Sequence, residues 1–249
     1  MPDATPFARQ WAGLVAQVRL LGTHAPRATL IEEEGMVAAV VPTVPTSSLM
    51  NVAVAVDPTA APRRLDQLAA RFTRGGAAKW GFWVDGEDER AAAIARRQGM
   101  VLDSRPAAMV ARLDELQFED APARTAADLT TVGCVNDLAY GYAEPKLGPP
   151  IAALPTSVLG YSVQYLGETA SVAIAHDVGA DTAVWFVATL PHAQRNGLAR
   201  LVLQRLLLDA RERGQRTASL QASVAGRPLY ERLGFETVGS LHLYEEQLA

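Results

Sequence analysis

The chain of 249 residues has a single cysteine, Cys134. An internal disulfide framework is thereby excluded, and so is a cysteine-built metal cluster. No histidine lies near Cys134 in sequence, which argues for a buried core thiol rather than a nucleophile. Apolar runs of membrane-spanning length are missing as well. Met1–Gln10 carries two prolines and an acid without an apolar core, and does not read as a signal peptide. There is also no excess of positive charge: 23 Lys and Arg face 27 Asp and Glu, for a net charge of -4. With its arginines scattered, the chain is not expected to bind nucleic acid or a membrane. What is present is 49% apolar and 20% charged residues, the balance of a globular protein. The length suits one large domain or two small ones, and the expected compartment is the cytoplasm.

The most informative run is Gln194-Arg195-Asn196-Gly197-Leu198-Ala199. It joins an apolar strand-like stretch, Ala183–Leu190, to an apolar helix-like stretch, Leu198–Arg213. The first amides of a helix have no partner within the helix, and the helix dipole adds positive potential there. Gly197 lets the backbone come close to a ligand without a side chain between them. A strand, a short polar turn and a helix start therefore predict an anion site, with phosphate as the natural anion.

Two halves share an order of elements. Ile94–Leu113 can be laid on Leu229–Leu248 without a gap, so that Arg97 meets Arg232 and Gly99 meets Gly234. Each copy reads as a short helix stopped by glycine and followed by a strand. Upstream, Leu65–Phe72 has helical apolar spacing and Lys79–Val84 reads as a strand, as Leu198–Arg213 and Thr217–Ala222 do in the second half. The boundary is expected near Asp114–Arg124, giving domains 1–115 and 116–249. The first copy lacks the anion turn: its counterpart, Asp57–Arg64, has no glycine, and Pro62 removes a donor. Ala95 stands where the second half has Tyr230. One active site is expected, in the second half.

In that half Ala126–Tyr142 reads as a helix, and Glu144–Pro155, with four prolines, as a loop or broken turn. Gly160–Gly167 and Thr169–Val178 alternate as strands around a Gly167-Glu168 turn. Val184–Leu190 is apolar on both faces, as a central strand should be. Gly226–Leu233 reads as a short helix and Thr237–Glu245 as a last strand. The expected class is α/β (α+β), with a mixed, largely antiparallel sheet flanked by helices.

These residues resemble the GNAT superfamily of acyl-CoA-dependent N-acyltransferases. Gln194–Ala199 fits that family's pyrophosphate motif, Gln/Arg-x-x-Gly-x-Gly/Ala. Ser223-x-x-Gly226-x-x-x-Tyr230 through Gly234-Phe235 fits a second motif, commonly Asn-x-x-Ala-x-x-x-Tyr-x-x-x-Gly-Phe. The layout is similar to tandem GNAT proteins with a degenerate first copy. The resemblance implies acetyl-CoA as co-substrate, held by Gln194, Arg195, Asn196, Gly197, Leu198 and Ala199 at its pyrophosphate. It implies that the central strand splays from its neighbour near a bulge, so that Val187, Ala188 and Thr189 meet the pantetheine arm. A backbone donor there would stabilise charge developing on the thioester oxygen. Tyr230 matches the residue assigned to protonating the departing thiolate, which a phenol can do at neutral pH. Ser223 departs from the usual Asn, and its hydroxyl is open to contacting pantetheine or capping local amides.

The family often places a base on the central strand, but Val184–Leu190 contains no acid. His176, Asp177 and Glu168 are the nearest substitutes, and His176 has the best-suited ordinary pKa; a surface histidine is the competing reading. Tyr140, Tyr142 and the Pro-rich loop could line an acceptor cleft or simply pack. Trp11, Trp80 and Trp83 are expected in the core or between domains. The implied activity is N-acetyltransfer from acetyl-CoA directly to a primary amine of a small molecule or peptide, with no metal. A non-catalytic acyl-CoA-binding regulator is the alternative, and a homodimer is left open.

Overall fold

The computed structural model describes residues 4–59, 65–117, 126–142 and 146–247. In chain order the elements are α1 Pro6–His24, β1 Thr29–Glu33, β2 Met36–Val40, β3 Val52–Ala55, α2 Leu65–Arg74, β4 Lys79–Asp85, α3 Glu89–Arg97, β5 Val101–Ser104, β6 Ala107–Arg112, α4 Leu129–Ala139, α5 Gly148–Ala152, β7 Val158–Tyr165, β8 Glu168–Val178, β9 Asp181–Thr189, α6 Leu198–Glu212, β10 Thr217–Ala222, α7 Arg227–Arg232 and β11 Glu236–Gln247. They fall into two compact units, one of Met1–Ala108 with Thr237–Ala249, the other of Met109–Glu236. The last strand, expected within the second domain, thus belongs to the same unit as the N-terminal elements.

In the first unit the strand order is β1-β2-β3-β4-β11, with β5 also pairing β11. Only β3 and β4 run parallel. Helix α1 starts where Thr5 accepts a hydrogen bond from Ala8 N and Pro6 occupies the first turn. Its Trp11, Leu14, Val15, Val18 and Leu21 form one buried stripe. Trp11 Nε1 donates to Ala55 O at 2.8 Å, and Trp80 stacks on Phe72 at 4.6 Å between ring centroids. Trp11, Trp80 and Trp83 are all buried, so the tryptophans are core residues. Of the turn expected to be the degenerate counterpart of Gln194–Ala199, residues 60–64 lie outside the described residues.

The second unit holds the site. Its strands are ordered β6-β10-β9-β8-β7. β7, β8 and β9 are antiparallel neighbours, and β10 runs parallel to β9. The β7–β8 turn is Leu166-Gly167, one residue earlier than expected, with positive φ at both positions (50° and 89°). Helix α6 buries Leu198, Val202, Leu203, Leu206, Leu207 and Ala210 on one face, packed on β7, β8 and β9. The expected helix Ala126–Tyr142 is shorter, because Asp128 caps it by accepting from Thr131 N. Gly148–Ala152, expected as loop, is the short helix α5: its prolines occupy the first turn, where no amide is needed. The buried Asp137 carboxylate accepts from the amides of Lys146 and Leu147 and anchors that entry. Cys134 is exposed, not buried. On α4 it falls between the inward-facing Val132 and Val135, on the opposite side of the helix. The mixed, mostly antiparallel architecture flanked by helices is as expected.

Candidate active site at the β9–β10 split

β9 and β10 are joined at one end and apart at the other. Asp181, at the start of β9, is buried and accepts from Thr217 Oγ1 and Ser219 Oγ of β10, each at 2.6 Å. The parallel pairing runs from Thr217↔Asp181 to Leu220↔Val184 and ends there, although both strands continue. Beyond it lies a bulge. Between the pairs Ile174↔Trp185 and Val172↔Ala188, Phe186 and Val187 stand against Ala173 alone, and Phe186 has a φ of 51°. Asn136 of α4 donates through Nδ2 to Phe186 O at 3.1 Å.

Past the bulge β9 stays with β8. Leu190 N donates to Ala170 O at 2.8 Å, and Ser171 Oγ to Ala188 O at 3.2 Å. Backbone groups alternate along a strand, so Ala188 and Leu190 turn theirs to β8. Thr189 turns its own to the other edge, the side β10 has left. Val187 and Thr189 are half-buried there, and Ala188 is buried.

The chain then enters the polar turn. Gln194, Arg195, Asn196 and Gly197 are exposed, Ala199 is half-buried and Leu198 is buried. Arg195 and Gly197 both have positive φ, 68° and 76°. Asn196 Nδ2 donates to Ala193 O and Gln194 O, and Gln194 Nε2 to Thr189 O, which fixes the turn from within. Gly197 is the N-cap of α6, and no side chain caps the helix. A Cβ at Gly197 would meet no atom within 4 Å. Open space thus lies beside Gly197, at the uncapped, positive end of the α6 dipole, an arrangement that fits an anion such as a pyrophosphate.

Tyr230 lies on α7, buried, with its ring edge-on to Phe235 at 5.9 Å. Burial raises its pKa above the usual phenol value, and Tyr140 nearby adds to the shift. The phenol is a proton donor throughout the neutral range. Ser223 Oγ accepts from Gly226 N at 3.1 Å, so its hydroxyl serves as a local cap.

The substitute bases are placed differently. Glu168 and His192 are exposed and hydrogen-bonded to each other at 2.7 Å. Asp177 is committed to Arg213, at 2.9 Å, and to Thr182, at 2.6 Å; burial pushes its pKa up, but these bonds outweigh it and the net shift is down. His176 is buried rather than at the surface, and neither ring nitrogen has a hydrogen-bond partner. Burial pushes its pKa down to about 4. It stands across from Ala183, on the face shared with Trp185, whose ring is edge-on at 5.9 Å. From Ala183 to Val187 is about 13 Å of strand. The sequence reading missed Asn136 and Phe186. A lone Asn among the inward Val132 and Val135 was the legible signal; a left-handed Phe gives none.

Residues 161–237 match the family model for the acetyltransferase (GNAT) domain. The chain carries a domain of the GNAT superfamily. No curated protein matches the sequence. Solved structures share the fold at low identity. A GCN5-related N-acetyltransferase from Kribbella flavida is 19% identical, with 96% of each chain covered and a TM-score of 0.68. A GNAT-family protein from Novosphingobium aromaticivorans is 18% identical over 95% of each chain, with a TM-score of 0.62. A GCN5-related N-acetyltransferase from Sphaerobacter thermophilus is 12% identical, covering 86% of this chain and 81% of its own, at 0.59. The GNAT segment spans β7 to the start of β11 and includes the bulge, the split, the turn and Tyr230. Among the described residues, no group of His, Cys, Asp or Glu could hold a metal ion, and no helix is long and apolar enough to cross a membrane.

Proposed function

We propose that the protein is a cytoplasmic N-acetyltransferase that moves an acetyl group from acetyl-CoA directly to a primary amine of a small molecule or peptide. One observation carries the reading: the uncapped amino end of α6 follows, after the turn of residues 190–197, on a central strand that has bulged and parted from β10. The amides of Arg195 to Ala199 hold the pyrophosphate, with Gln194 bracing the turn. The pantetheine arm lies along the free edge of β9 at Val187, Ala188 and Thr189 and thereby supplies the strand pairing that β10 does not.

Bound acetyl-CoA supplies an activated acyl group with a thiolate as leaving group. The Val187 amide donates to the thioester oxygen as charge develops on it. Tyr230 gives its proton to the departing sulfur; its raised pKa keeps that proton in place until then. His176 stays neutral at pH 7 and offers an unpartnered ring nitrogen. A base this weak does not deprotonate a free ammonium. After attack, however, the amine nitrogen carries positive charge and is far more acidic. The proton reaches His176 through water, given the length of strand between them. Ser223 shapes the loop before α7 through its cap. Domains 1–115 and 116–249, as a degenerate and an active GNAT copy, are part of the same proposal.

The absence of an acid from Val184–Leu190, the part of β9 at the bulge and beyond, favours one other reading, an acyl-CoA-binding regulator without turnover. Amine-dependent thiol release from acetyl-CoA separates the two, measured on a panel of alkylamines, polyamines, amino acids and short peptides. Release with an acetylated amine in the mass spectrum supports the enzyme. CoA binding without release on any amine supports the regulator.

A further inference from the structure

We propose that Asn136 is a positioning residue: it aims the Val187 amide by holding the carbonyl of Phe186. The inference rests on the reading of Val187 N–H as the donor to the thioester oxygen. Phe186 O and Val187 N–H belong to one peptide unit, which is planar and trans. Fixing the direction of the carbonyl therefore fixes that of the N–H, which points the opposite way. Asn136 Nδ2 holds the carbonyl at 3.1 Å and is itself held by Val132 O, also at 3.1 Å. With Phe186 O on the α4 side, Val187 N–H is turned away from α4.

Two further observations make this more than incidental packing. Phe186 sits at a φ of 51° in the bulge, a backbone region that non-glycine residues avoid unless their surroundings impose it. The Asn136 bond is one such constraint, applied from outside the sheet. Asn136 is also completely buried, yet its Oδ1 has no partner. An orphan buried acceptor is costly, and an aliphatic side chain would occupy the position without it. The amide is explained by what its nitrogen does at Phe186.

The test uses the full chain with acetyl-CoA and the panel amine that supports the fastest thiol release. Asn136→Leu removes the donor. Its expected effect is a fall in kcat of about 10- to 100-fold, while affinity for CoA, which lacks the acyl oxygen, stays within about twofold of the parent. Asn136→Asp gives a pH signature: a protonated carboxyl donates to Phe186 O and a carboxylate does not. Relative to the parent, its activity should rise as pH falls. Unchanged kcat in a folded Asn136→Leu, CoA affinity falling in step with kcat, or a pH profile of Asn136→Asp parallel to the parent would each overturn the proposal. Should the parent release no thiol with any amine, the acetyltransferase reading fails separately. The clamp is then decided by thermal unfolding of a double-mutant cycle with Phe186→Gly. Glycine adopts the left-handed backbone freely, so loss of the clamp should cost less melting temperature in that background. Additive shifts overturn the clamp.

Discussion

A Cβ placed on Gly226 would lie 3.0 Å from Tyr230 Cε2 and 3.3 Å from Ser223 Oγ. The glycine is thus the wall against which the buried phenol ring rests, one turn before it in the chain. Gly226→Ala should displace the ring by a few tenths of an ångström, because its Cβ would stand closer to Tyr230 Cε2 than an ordinary van der Waals contact allows. Misplacing a reacting group is costly, and kcat is expected to fall by roughly tenfold. CoA affinity should stay near the parent value, as measured by calorimetry. Parental kcat would show that the position of this ring does not matter.

Tyr230→Phe tests the proton itself. The ring, its packing on Phe235 and the fold should survive. Loss of the general acid is expected to lower kcat by about 100-fold, with CoA affinity within a factor of two. Turnover at the parental level would remove Tyr230 from the chemistry.

Gly197 allows backbone and charge to be separated. At its φ of 76°, Gly197→Ala should cost about 1 kcal/mol of stability through strain alone. It should lower CoA affinity only modestly. Gly197→Asp carries the same strain and adds a carboxylate at the mouth of the turn. Its CoA affinity should fall well beyond tenfold, each factor of ten being about 1.4 kcal/mol. Equal affinities for the two variants would place the anion elsewhere.

His176 links stability to pH. Its pKa is about 4 in the folded protein, below the ordinary value of 6.5. Between these values the unfolded chain binds the proton more readily, so acidification favours unfolding. The stability conferred by a neutral buried imidazole is present above pH 6.5 and is lost as pH falls towards 4. The full effect is about 3 kcal/mol. Denaturant unfolding at pH 7 and pH 4.5 should show a larger loss for the parent than for His176→Leu. Parallel losses would mean that the ring is not buried as described.

Much of the second unit was legible because its signals are local. β10 spans Thr217–Ala222 as the sequence indicated, and α6 begins at Leu198, directly after Gly197. The short GNAT motifs named the turn and Tyr230 because backbone amides at a helix start need only spacing and a glycine. The first unit's α1 and β1–β3 were not assigned, since short buried strands such as Val52–Ala55 have no alternation to read. The prolines of Gly148–Ala152 suggested a loop because position within a helix decides whether proline is tolerated. A surface position was the competing reading for His176 because it stands near a strand end, whereas tertiary packing buries it. The bulge was expected only through the family resemblance, because nothing in the local residue pattern marks it. Asn136 and Phe186, whose hydrogen bond lies at the bulge, are fifty residues apart in sequence, and no local propensity encodes that pairing.

The claim that the amino end of α6 receives the pyrophosphate of CoA is tested most directly by amide hydrogen exchange with and without CoA. The account predicts slowed exchange in peptides covering residues 194–200, with a second protected stretch at residues 187–189. Exchange unchanged at residues 194–200 at CoA concentrations that saturate the protein would contradict it.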